Sequence, residues 1–169
     1  MIYYFAYGSN LHPVRLKKRV PSAELVGVAK HPNYRLAFHK KSNDESGKCN
    51  MFNSNCKSDL IYGAIYRLKP EDKDQLDILE GRGYGYIEKT ITLEYNGAEY
   101  NCFTYIAEPL HIVDRLKPYH WYKKLVVEGA KYLKFPDYYI ASIEAVKSID
   151  DFDHSRIKSM DKLIEQIVN

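Results

Sequence analysis

The chain has 169 residues, 45% hydrophobic and 28% charged, with a formal net charge of +3. That suits one soluble domain, residues 1–169, with a complete core. No apolar run approaches the ~20 residues of a membrane span, and the basic residues, in clusters no larger than Lys17-Lys18-Arg19, are too dispersed for a nucleic-acid-binding face.

In chain order, Ile2 to Tyr7 reads as a strand of mostly β-favouring residues. Gly8-Ser9-Asn10 breaks it, and Val14 to Arg19 supplies one or two helical turns. Ala23 to Lys30 is a strand, His31-Pro32-Asn33 a turn, and Tyr34 to His39 an alternating half-buried strand. Lys40 to Asp59 is polar and reads as a long mobile loop, with Asn50-Met51-Phe52 able to pair as a short strand. Leu60 to Leu68 is a strand. Pro70-Glu71-Asp72 opens a short helix, with Leu76 and Leu79 as its apolar face and Glu80-Gly81 as its end.

A strand from Ile87 to Tyr95 and its return from Glu99 to Ala107 flank Asn96-Gly97, a type I′ hairpin signal. After a connection over Glu108 to Pro118, Tyr119 to Lys134 reads as the longest helix. Tyr122, Leu125, Val126, Gly129 and Leu133 form its stripe, and Gly129 there implies close backbone approach. Phe135-Pro136 stops it. Helices follow over Asp137 to Val146 and Arg156 to Val168, joined through a surface linker at Asp150 to Asp153. Strands first and helices last predict an α+β domain. Its mixed sheet curls strongly, or closes into a small β-barrel, with helices packed around it.

Three features carry candidate chemistry. A strand running into Gly8-Ser9-Asn10 presents backbone amides to a small anion. Glu80 follows apolar Ile78-Leu79 at a helix end, where a partly buried carboxyl pointing into a cavity suits proton transfer. The sixteen tyrosines suit pocket walls, each an apolar ring with a polar tip. The three cysteines, Cys49, Cys56 and Cys102, are an odd number without metal-knuckle spacing. They point to a reducing cytoplasm and to no metal site.

The opening string Tyr4-Phe5-Ala6-Tyr7-Gly8-Ser9-Asn10-Leu11 resembles the signature of the γ-glutamylcyclotransferase family, which includes AIG2-like and BtrG-like proteins. Leu76-Asp77-Ile78-Leu79-Glu80-Gly81 is similar to the family's second signature, and Gly85 falls where the family has a glycine. Tyr122, ahead of Gly129-Ala130 and Phe135-Pro136, resembles its third. One departure is Ile87, where the family commonly has an aromatic; Tyr86 stands one residue earlier.

The resemblance implies cleavage of a γ-glutamyl amide by attack of the substrate's own α-amine, giving 5-oxoproline and an amine or amino acid. It implies Glu80 as acid/base, and Tyr4, Phe5, Ala6, Tyr7, Gly8, Ser9, Asn10, Leu11 and Tyr122 at the substrate. It further implies no cofactor, since the nucleophile is intramolecular, and a monomer or homodimer. Two alternatives stand beside this. One is a γ-glutamylamine cyclotransferase acting on isopeptides or a biosynthetic intermediate. The other is a non-catalytic small-molecule binding protein of the same fold.

Overall fold

A computed structural model describes residues 1–168. Its strands are β1 (Ile2–Ala6), β2 (Glu24–Pro32), β3 (Tyr34–Lys41), β4 (Gly47–Asn53), β5 (Leu60–Leu68), β6 (Tyr86–Tyr95) and β7 (Ala98–Ala107). Its helices are α1 (Pro13–Arg19), α2 (Lys73–Glu80), α3 (His120–Tyr132), α4 (Asp137–Glu144) and α5 (His154–Val168). Five strands form one sheet in the order β2-β5-β1-β7-β6, and β3 and β4 form a separate hairpin. The central strand β1 runs antiparallel to β5 and parallel to β7, so the sheet is mixed. Among the described residues no helix is long and apolar enough to cross a membrane.

The sheet curls until its two edges meet. A side chain added at Gly27 of β2 would overlap the ring of Tyr95 on β6, 2.1 Å away. The edges touch through side chains without a backbone ladder between them. The result is a half-barrel rather than a closed one. Phe5, Ala6, Ile65, Tyr66, Leu68 and Cys102 are fully buried in one core that covers both faces of the sheet. The β6–β7 hairpin turns at Asn96 (φ 51°) and Gly97 (φ 75°), the two left-handed residues a type I′ turn requires.

Four expectations need correction. The stretch 40–59 is mostly ordered, because β4 pairs with β3 along its length. Its polar residues find partners: Asn50 Oδ1 accepts from the Ala107 amide at 2.8 Å, and Asn50 Nδ2 lies 2.9 Å from His39 Nε2. A strand buried through hydrogen-bonded amides shows no apolar alternation. Strand β2 continues through His31 and Pro32, leaving Asn33 as the left-handed turn residue. The longest helix is α5, with 15 residues against 13 in α3. Asp151 is buried instead of belonging to a solvated linker; Arg156 and the Trp121 indole both bind its carboxylate.

Helix α3 presses on the segment that leaves β1. A Cβ at Gly129 would stand 2.6 Å from the Leu11 Cβ and 3.1 Å from the His12 backbone nitrogen. Gly129→Val is expected to destabilise the protein by about 1–3 kcal/mol through overpacking. Thermal unfolding checks this. An unchanged midpoint would mean that α3 is free to move away from the turn.

Candidate active site

Where β1 ends, the Leu11 amide donates to the Gly8 carbonyl at 3.0 Å. That closes a turn with Ser9 and Asn10 at its centre, and central amides of such a turn point away from its own hydrogen bond. The exit is pinned by the Tyr66 hydroxyl, which donates to the Leu11 carbonyl at 2.6 Å. Gly8 has no room for a side chain, since a Cβ would meet Cys49 Cβ at 2.8 Å.

Glu80 is the last residue of α2, before Gly81 in the left-handed conformation (φ 69°). A carboxylate there sits at the negative end of the helix dipole, so it needs donors from elsewhere. Glu80 Oε1 accepts from Asn10 Nδ2 at 2.9 Å and from Arg19 Nη1 at 2.7 Å. Asn10 Nδ2 also lies 3.3 Å from the Tyr4 hydroxyl. Asn10 Oδ1 is buried and has no hydrogen-bond partner. Arg19 is the residue that reasoning from sequence missed. It stands in the basic Lys17-Lys18-Arg19 run, but at the end of α1 it turns toward Glu80 while Lys17 and Lys18 face solvent.

The turn and Glu80 share a narrow inner pocket of about 20 Å³. Tyr4, Tyr7, Tyr86, Tyr105 and Tyr122 wall it, together with Cys49. These hydroxyls are tied down. Tyr7 donates to the Tyr105 carbonyl at 2.5 Å, Tyr86 donates to the Cys49 carbonyl at 2.5 Å, and Tyr122 accepts from the Cys49 amide at 3.1 Å. Burial pushes all five well above the ordinary tyrosine value, and the Glu80 charge adds to it. The wall is therefore uncharged at neutral pH. The pocket opens into a wider outer cleft that also includes Ser9, Glu80, Tyr86 and Tyr122.

Of the residues expected at the substrate, Tyr4, Tyr7, Gly8, Ser9, Asn10 and Tyr122 line the inner pocket with Glu80. Phe5, Ala6 and Leu11 do not. Their side chains are fully buried in the core. Leu79, expected on the apolar face of α2, is 41% exposed beside Ile78 at 74%, and both line the outer cleft. Ile87 is 41% exposed, and the ring in the pocket is that of Tyr86.

A curled α+β half-barrel that brings a carboxylate and a Gly-Ser-Asn turn to one tyrosine-walled pocket is the architecture of a small-molecule enzyme. Residues 60–143 match the model of the AIG2-like family. The γ-glutamylcyclotransferase of Mus musculus is 30% identical over 151 residues, 85% of this chain and 78% of that protein. That of Bos taurus is 29% identical over 155 residues, 87% and 79% of the two chains. A solved structure described as a γ-glutamyl cyclotransferase superposes with a TM-score of 0.85 at 25% identity, covering 98% of each chain. The chain belongs to the γ-glutamylcyclotransferase, or AIG2-like, family and is an enzyme of that type.

The three cysteines are free. Burial pushes the Cys49 and Cys102 thiols up to about 12, whereas hydrogen bonds with Ser58 lower that of exposed Cys56. Iodoacetamide at pH 8 should therefore label Cys56 in the native protein and spare Cys49 and Cys102. Peptide mass mapping reads the outcome. Rapid labelling of Cys49 would show that the pocket wall opens.

Proposed function

We propose that this protein cleaves γ-glutamyl amides by intramolecular cyclisation, releasing 5-oxoproline and an amine or amino acid, with Glu80 as the acid/base. The observation that carries this reading is the position of Glu80. Its carboxylate lines both the inner pocket and the outer cleft, and it accepts from Asn10 of the Gly8-Ser9-Asn10 turn that lines the same pocket.

The glutamyl unit occupies the inner pocket, and the leaving group projects into the outer cleft. The turn amides bind the α-carboxylate of the glutamyl unit and polarise the γ-carbonyl oxygen. The α-ammonium, beside Glu80 and the unsatisfied Asn10 Oδ1, passes a proton to the carboxylate. The freed amine attacks the γ-carbonyl carbon, and a nitrogen–carbon bond closes the five-membered ring. As the original amide bond breaks, Glu80 delivers its proton to the departing nitrogen, and the second proton of the ring nitrogen passes through the same carboxylate to the released amine, which leaves as an ammonium, so one carboxylate serves both steps. Tyrosine walls hold the chain folded so that amine and carbonyl meet, and such positioning supplies a large share of the acceleration. Arg19 and Asn10 fix the rotamer of Glu80. The unpaired thiols fit work in the cytoplasm.

Glu80→Gln keeps an acceptor for Asn10 while removing the proton-carrying group. It is expected to fold like the native protein and to lose about 100-fold or more of its activity. The assay is 5-oxoproline release from a panel of γ-glutamyl amides, with thermal unfolding alongside. Turnover at the native rate in this variant would remove Glu80 from the mechanism.

A further inference from the structure

A helix held on one face turns inward the positions spaced i, i+3, i+4 and i+7. On α2 these are Lys73, Leu76, Asp77 and Glu80, and Leu76 is the one fully buried apolar side chain among them. Ile78 and Leu79 are exposed. The helix that carries the acid therefore gains little from apolar packing, and its seat depends on polar contacts.

Asp77 gathers those contacts. Its Oδ1 accepts from the Tyr105 hydroxyl at 2.5 Å and from Lys73 Nζ at 3.0 Å. Its Oδ2 accepts from Lys73 Nζ at 2.9 Å and from Arg82 Nη1 at 3.0 Å. Its backbone carbonyl accepts from the Arg82 amide at 2.9 Å, beyond the helix end. Lys73 also donates to Glu88 of β6 at 2.7 Å. The bond with Tyr105 is the one that reaches the pocket wall. Tyr105 stands on β7 with its ring in that wall and its carbonyl accepting from Tyr7. Asp77 itself lines neither the inner pocket nor the outer cleft, so it touches no substrate there. Glu80 follows one turn later on the same helix face.

We infer that Asp77 is a positioning residue for the acid/base. Its bond with Tyr105 fixes the last turn of α2 against β7, and that sets how far Glu80 reaches into the pocket. Glu80 is thus held twice, its side chain by Asn10 and Arg19 and its helix by Asp77 and Tyr105. The inference rests on the reading of Glu80 as the acid/base of γ-glutamyl cleavage.

The test measures kcat and KM for 5-oxoproline release from the γ-glutamyl amide that the native protein turns over fastest, with thermal unfolding alongside. Asp77→Ala, Tyr105→Phe and the double variant are compared. Each single change removes the bond between α2 and β7 and leaves the turn and Glu80 in the chain. In each, kcat should fall about tenfold while KM stays near the native value. Asp77→Ala should also unfold at a lower temperature, because Lys73 and Arg82 lose their acceptor, whereas Tyr105→Phe keeps those pairs. Both changes act on one bond, so the double variant should turn over no more slowly than Asp77→Ala. Asp77→Asn, which keeps an oxygen for the Tyr105 hydroxyl, should retain more of kcat than Asp77→Ala. A role in the fold alone would lower the unfolding midpoint and leave the kcat of folded protein unchanged, which overturns the inference. So would a native kcat in Tyr105→Phe, a loss confined to KM, or multiplied losses in the double variant. Should Asp77→Ala fail to fold, Tyr105→Phe still decides through its kcat. No release by the native protein from any γ-glutamyl amide would refute the γ-glutamyl reading and this inference with it, an outcome distinct from release that is indifferent to Asp77.

Discussion

One carboxylate oxygen of Glu80 accepts from Asn10, on the turn after β1, and from Arg19, at the end of α1. Two neighbouring elements near the start of the chain thus meet at an atom 70 and 61 residues further along. A carboxylate at a helix C-terminus is misplaced with respect to the helix dipole. The compensating donors therefore have to come from outside α2, and they come from the two elements that frame the pocket. Truncating either donor would leave Glu80 with one hydrogen-bond partner and a freer side chain. Positioning of the acid and closure of the fold are here the same contact.

The opposite wall is built around a backbone unit. The Cys49 amide and carbonyl are bound by Tyr122 from α3 and Tyr86 from β6. The Cys49 side chain closes over Gly8. Strand β4 is thereby stitched to the pocket by neutral phenols instead of ion pairs. In a low-dielectric wall this matters, because a fixed charge opposite Glu80 would compete with the substrate for the carboxylate. Charge is confined to Glu80 and to the outer cleft.

Much of the fold was legible because its signals are local. Strand β5 has the bounds its apolar pattern implies, and the β6–β7 hairpin follows from Asn96-Gly97. Gly129 announced a close approach that Leu11 supplies. What failed was non-local. Strand β4 hides because Asn50 is buried through partners on β3 and β7. The neighbours of β1 are set by long-range pairing, and Asp151 is buried by Arg156 and Trp121 across a loop. Phe5, Ala6 and Leu11 belong to the motif string but serve the core that holds it, so a sequence signature marks scaffold and site alike.

The basic run in α1 shows how such a signal was within reach. Arg15 and Arg19 are four apart, hence on one face of a helix, while Lys17 falls on the other and Lys18 on the flank. Composition alone merges these four into a single solvated patch. In the structure both lysines stay in water and both arginines line the cleft, and periodicity alone marks the separation for Lys17. The choice of residue fits the separation. A guanidinium is less strongly hydrated than an ammonium and offers a planar fork of donors, so it tolerates burial and matches a carboxylate with fixed geometry. Arg19 meets one carboxylate of the protein itself. Arg15, one turn earlier and with its buried Nε unpaired among the described residues, presents the same chemistry to the cleft.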